Sequence, residues 1–145
     1  MHKFLLKSVV LPGQGGDRVV DVLIAGNRFA RIGEVPPEES LGAEVVDCSH
    51  FAIFPAFYNG HTHAAMTLLR GYADDMPLQK WLQEYIWPFE AKLTGDDIDV
   101  ACRLALLEMI KSGTVFFADM YWHRERTIKV VEEMGIRAAV GVTFA

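Results

Sequence analysis

The sharpest chemistry in the sequence lies in three consecutive residues, His61-Thr62-His63. In an extended strand alternate side chains share a face, so the two imidazoles project on the same side. Their backbone positions lie roughly 6–7 Å apart, close enough for both rings to reach one metal ion. The same spacing also occurs where two histidines simply face solvent or satisfy each other's neighbours, so spacing alone leaves both readings open. The other histidines have no such partner. His2 and His50 fall in a β-rich stretch and receive no role, and His123 reads as a surface or supporting residue.

The pair is reached from an apolar run, residues 51–57, through Tyr58-Asn59-Gly60, a pattern that predicts a strand ending at the histidines. Downstream, Thr94-Gly95-Asp96-Asp97 sets a capping hydroxyl three residues before a carboxylate. Ile98, Ala101, Leu104, Ala105 and Leu107 then recur at helical spacing until Lys111 and Gly113 close the helix. Residues 114–118 are β-branched, aromatic and continuously apolar, as in a parallel strand buried on both faces. Residues 124–134 predict a second helix, with Ile128, Val131 and Met134 on its apolar face and Gly135 at its end, and residues 136–144 predict a further strand. This alternation is an α/β pattern. In a (β/α)₈ barrel, catalytic groups gather at the carboxyl ends of the strands. His61 and His63 would lie at such an end, and so would Asp119, whose alternative role is to cap the following helix. Between the two regions, Trp81, Leu82, Tyr85, Ile86 and Phe89 make an apolar helical face, ended or bent near Pro88, whose plain reading is core packing.

The first fifty residues follow a different grammar. Residues 4–11 end in the turn cluster Pro12-Gly13-Gln14-Gly15-Gly16, and residues 19–24 and 28–32 flank Gly26-Asn27, a pair suited to a hairpin turn. Residues 44–48 and 51–54 add two more β-rich stretches, so a small antiparallel sheet or sandwich is expected. The composition is that of a folded globular chain, 51% hydrophobic and 23% charged, and excludes disorder. No apolar run approaches the ~18 residues of a membrane span, and Lys7 interrupts the apolar start before a signal-peptide core could form. A soluble, cytoplasmic chain is expected, with no membrane partner. The formal net charge is −5, with no basic stripe, which argues against nucleic acid. Cys48 and Cys102 lie too far apart in sequence for a paired-thiol site and read as reduced, buried residues.

The run Pro55-Ala56-Phe57-Tyr58-Asn59-Gly60-His61-Thr62-His63-Ala64-Ala65-Met66, continuing to Asp74-Asp75, closely resembles the amidohydrolase superfamily. The resemblance is to its branch of methylthioadenosine/S-adenosylhomocysteine deaminases and chlorotriazine hydrolases. The similarity extends through Pro77-Leu78-Gln79-Lys80-Trp81-Leu82, Ile86-Trp87-Pro88-Phe89-Glu90, Glu108 to Thr114 and Asp119-Met120-Tyr121. It implies that residues 1–54 are the amino-terminal part of a composite β-sandwich whose other strands come from the far end of a longer chain. Residues 55–145 would be the first strands and helices of a metal-dependent hydrolase (β/α)₈ TIM barrel. It further implies a divalent metal, zinc or alternatively iron, with His61 and His63 as its first two ligands. The remaining ligands and the proton-transferring groups would lie on later strands, leaving no catalytic residue in this segment.

By the same resemblance, Glu90 binds the ribose hydroxyls of a nucleoside, a role that suits an acceptor-only carboxylate. Without the resemblance it would read as a solvated helical charge. Trp81, with Leu82, resembles the apolar wall over the substrate ring. One departure is Val142, which stands where nucleoside deaminases of the branch often carry an Arg. The implied activity is deamination of amino-substituted heterocycles such as adenosine-type nucleosides by metal-activated water, with a small molecule as the partner and self-association open. The alternatives are a chlorotriazine- or guanine-type hydrolase, or an inactive fragment or structural module. A (β/α)₈ barrel needs roughly 250 residues, and about 90 follow the β-rich part. The 145 residues are therefore expected to be a piece that alone neither holds zinc tightly nor turns over substrate.

Overall fold

A computed structural model describes residues 2–142, which fall into two compact units, Met1–Pro55 and Ala56–Ala145. The first unit is a four-stranded sheet of β1 (Lys3–Leu11), β2 (Arg18–Ala25), β3 (Arg28–Gly33) and β4 (Glu44–Asp47), in the order β3-β2-β1-β4. β1, β2 and β3 pair antiparallel, but β4 lies parallel to β1, because the chain crosses over between β3 and β4 instead of turning back in a hairpin. Of the Gly26-Asn27 pair only Gly26 takes a positive φ, +60°. Residues 51–54, expected as a strand, make a single bridge, Ala52 with Val10. Pro55 follows at once, and without an N–H it cannot extend the ladder. Val9, Val22 and Cys48 centre the unit's small core.

The second unit holds three parallel strands in the order β5-β6-β7: β5 (Phe57–Thr62), β6 (Thr114–Asp119) and β7 (Arg137–Val140). α1 (Gly95–Lys111) joins β5 to β6, and α2 (Arg124–Met134) joins β6 to β7. The start of α1 is a full capping box. Thr94 Oγ1 accepts the Asp97 N–H, and the Asp97 carboxylate accepts the Thr94 N–H at 2.8 Å. The Thr94 hydroxyl, which also donates to the Asp97 carboxylate at 2.6 Å, and then the Thr94 N–H hold the Asp97 carboxyl below its usual pKa. Gly113 and Gly135 end the two helical stretches at φ +82° and +74°, geometry that a residue with a Cβ enters only with strain.

Ile98, Ala101, Cys102, Ala105 and Leu106 pack with Phe117 of β6 and Val130 of α2 into the core. This corrects the expected face of α1: Leu104 and Leu107 are exposed and belong to a second apolar stripe, while Cys102 and Leu106 complete the i, i+3, i+4, i+7, i+8 pattern that begins at Ile98. On α2 the buried pair is Thr127 and Val130, with Ile128 exposed. Within β6 only Phe117 and Asp119 are buried, so burial on both faces does not extend along the strand. The expected strand over 136–144 is observed over Arg137–Val140, and residues 143–144 lie outside the described residues. Among the described residues no helix is long and apolar enough to cross a membrane.

Candidate functional site

Parallel pairing brings the carboxyl ends of β5 and β6 together, with Thr62 in register with Asp119. His61 lies on β5 and His63 one residue past its end, with ring centroids 5.3 Å apart and planes nearly perpendicular at 84°. The His61 N–H donates to Asn59 Oδ1 at 3.2 Å. His63 Nδ1 lies 2.7 Å from the Met120 carbonyl oxygen. A carbonyl can only accept, so Nδ1–H is the donor, and in the neutral ring Nε2 holds the lone pair that a metal could take.

Asp119 is buried, and its Oδ1 accepts the N–H of Ala64, the residue after His63, at 2.8 Å. Burial pushes its carboxyl pKa up, opposed by that hydrogen bond and by the nearby His63. The helix-capping alternative is not realised, because His123 occupies the N-cap of α2 in a left-handed conformation. Oδ2 of Asp119 is buried without a hydrogen-bond partner among the described residues. Two imidazoles beside an underused buried carboxylate fit a zinc- or iron-type ion as part of a larger donor set. No group of three or more His, Cys, Asp or Glu side chains able to hold a metal ion occurs among the described residues.

Residues 78–90 form one side of a pocket of about 260 Å³ that His63, Trp81, Leu82, Glu90, Tyr121 and Trp122 help to line. This segment was expected to be a regular helix bent near Pro88. It is instead π-helical over Trp81–Ile86, with the Trp87 N–H donating to the Leu82 carbonyl. Pro88 offers no N–H, and in an α-helix its ring would meet the carbonyl four residues back, a conflict that the wider turn relieves. The widened turn turns Trp81 and Leu82 toward the pocket, and the short helix Trp87–Glu90 carries Glu90 to it.

The Glu90 carboxylate has specific neighbours. Its Oε2 accepts the indole N–H of Trp122 at 3.2 Å, and its charge reaches the Tyr121 phenol in the same pocket. Burial, reinforced by the charge of Glu90, pushes the Tyr121 phenol above its usual pKa. The structure therefore brings His63, Trp81, Leu82 and Glu90 to one pocket. His61 lines a neighbouring space with Gly60, Ala118 and Asp119 that also reaches His63. His123 is exposed, with Nδ1 3.7 Å from Glu125. Sequence reasoning gave no role to Tyr121 and Trp122, although an aromatic pair two residues past a parallel strand was the available signal. The Met120 carbonyl, as a backbone group, had none.

Residues 52–145 match the Amidohydrolase family. The chain belongs to that family, and its strand-helix-strand-helix-strand unit corresponds to the first part of the family's (β/α)₈ barrel. A 5′-deoxyadenosine deaminase of Methanococcoides burtonii is 51% identical over 119 residues, which cover 82% of this chain and 27% of that protein. A 5-methylthioadenosine/S-adenosylhomocysteine deaminase of Pelotomaculum thermopropionicum is 48% identical over 138 residues, 92% of this chain and 32% of that one. Among solved structures, an adenosine deaminase from Xanthomonas campestris with bound zinc aligns with a TM-score of 0.82 at 27% identity, covering 94% of this chain and 33% of that chain. The chain thus spans between a quarter and a third of the length of these proteins.

Proposed function

We propose that the protein is a metal-dependent aminohydrolase that deaminates adenosine-type nucleosides. One observation carries the reading: a single pocket is lined by His63, Glu90, Trp81 and Leu82 together. In this reading His61 and His63 are two ligands of a zinc or iron ion, and the Met120 carbonyl and Asp119 hold the second of them in place. When bound, such an ion draws the pKa of water toward 7 and so supplies a nucleophile at neutral pH. Trp81 and Leu82 cover the purine face, excluding water and orienting the ring. Glu90 accepts hydrogen bonds from the ribose diol and fixes the sugar end. The relatives named for adenosine derivatives support this substrate class. A chlorotriazine- or guanine-type substrate has no sugar to engage Glu90. Residues 1–54 are assigned to a composite β-sandwich, which agrees with the apolar side chains Val19, Phe29 and Val45 that their sheet leaves exposed.

The test is Glu90→Gln in the full-length enzyme. Loss of a charged acceptor costs about 1.5–3 kcal/mol, or roughly 10- to 150-fold in kcat/KM for the nucleoside. The free base has no diol, so its kcat/KM is expected to hold, as is the metal content. Equal losses on nucleoside and base would overturn the assignment of Glu90 to the sugar.

A further inference from the structure

The residues after β6 bond to two of the pocket's polar side chains, His63 and Glu90. The Met120 carbonyl accepts from His63, and two residues later the Trp122 indole donates to Glu90, with Tyr121 lining the same pocket. Glu90 ends a helix of only four residues, and its own side chain has three rotatable bonds. Left alone, it would sample several rotamers, and binding a diol would cost the entropy of choosing one. The indole N–H pins Oε2 and still leaves Oε1 and a lone pair on Oε2 for two incoming hydroxyls.

We propose that Trp122, supported by Tyr121, is a positioning residue that aims the Glu90 carboxylate and so sets the preference for a nucleoside over its free base. The inference rests on the nucleoside reading above and adds to it the group that makes Glu90 selective. Because Trp122 follows directly from the segment that orients His63, the strand end that holds the metal-side histidine also holds the sugar-side carboxylate.

The experiment compares Trp122→Phe, Glu90→Gln and the double variant in the full-length enzyme, assayed with adenosine and adenine. Trp122→Phe keeps the ring and removes the N–H donor. It is expected to raise KM for adenosine about 3- to 10-fold, the worth of one hydrogen bond, with kcat for adenosine held. The adenosine-to-adenine ratio of kcat/KM should fall by the same factor. In the Glu90→Gln background the further loss should disappear, because the two residues act as a unit. Tyr121→Phe provides a second variant, with the same direction of effect on the ratio. Equal losses on adenosine and adenine, no change in the ratio, or full additivity with Glu90→Gln would each overturn the proposal. If Glu90→Gln alone fails to discriminate adenosine from adenine, the nucleoside reading itself fails. A selective Glu90→Gln with an unselective Trp122→Phe would refute only the positioning role.

Discussion

Asp119→Ala tests how the histidine pair is held. Asp119 is 5% exposed and its Oδ1 takes the Ala64 N–H at 2.8 Å. Alanine at 119 leaves that N–H without its partner, at a cost of about 1–3 kcal/mol. The space left by the carboxyl group adds on the order of 1 kcal/mol. Part of this is offset, because a carboxylate whose pKa is raised by burial is itself costly to keep charged. The net expectation is a destabilisation of about 1–3 kcal/mol, read by urea unfolding of the full-length protein. Asp119→Asn keeps an oxygen toward Ala64 and removes the buried charge, so it should cost less. Since Ala64 follows His63 directly, a loosened Ala64 is also a misaimed imidazole, and zinc affinity measured by chelator competition should drop about 10- to 100-fold in Asp119→Ala. The reasoning is refuted if Asp119→Ala unfolds within about 0.5 kcal/mol of the parent and holds zinc as well. It is also refuted if the asparagine and alanine variants are equally damaged.

Two further outcomes are expected. Replacing either His61 or His63 by Ala in the full-length protein should remove metal and activity together, and wild-type zinc content in both variants by elemental analysis would refute the ligand assignment. Burial pushes the Cys102 thiol up to about 11, from the ordinary 9.0 that it would have in the unfolded chain. The unfolded thiol therefore releases its proton first, and stability is full below pH 9 and falls on the order of 2 kcal/mol as pH rises to about 11. A Cys102→Ala variant should show a shallower decline over that interval, and an unchanged slope would exclude the thiol as its source.

Much of the fold was legible in local signals. Thr94 and Asp97 announce a helix start by their chemistry, Gly113 and Gly135 mark positions where φ must turn positive, and the α/β alternation follows from them. Residues 78–90 were not legible in the same way. An apolar stripe at 81, 82, 85, 86 and 89 fits α- and π-helical turns almost equally, and the effect of Pro88 lies one turn upstream of the proline itself. The faces of α1 were confused because two apolar stripes run along one helix, and only packing decides which is covered. In the site, His61 and His63 stood out by residue type and spacing, whereas Trp81 and Glu90 were marked only by the family resemblance. What holds His63 and Glu90, a backbone carbonyl and an indole donor from beyond another strand end, depends on strand register, which no residue type encodes.

The acceptor that fixes the His63 tautomer is a main-chain oxygen. No substitution at position 120 can delete it, so this part of the site is mutationally silent in a way that a carboxylate in the same place would not be. Met120 is therefore free to vary in size or polarity to suit the pocket, while the imidazole beside it stays aimed. The exposure to mutation moves to whatever sets the register of β5 against β6, where a one-residue slip would withdraw the carbonyl altogether.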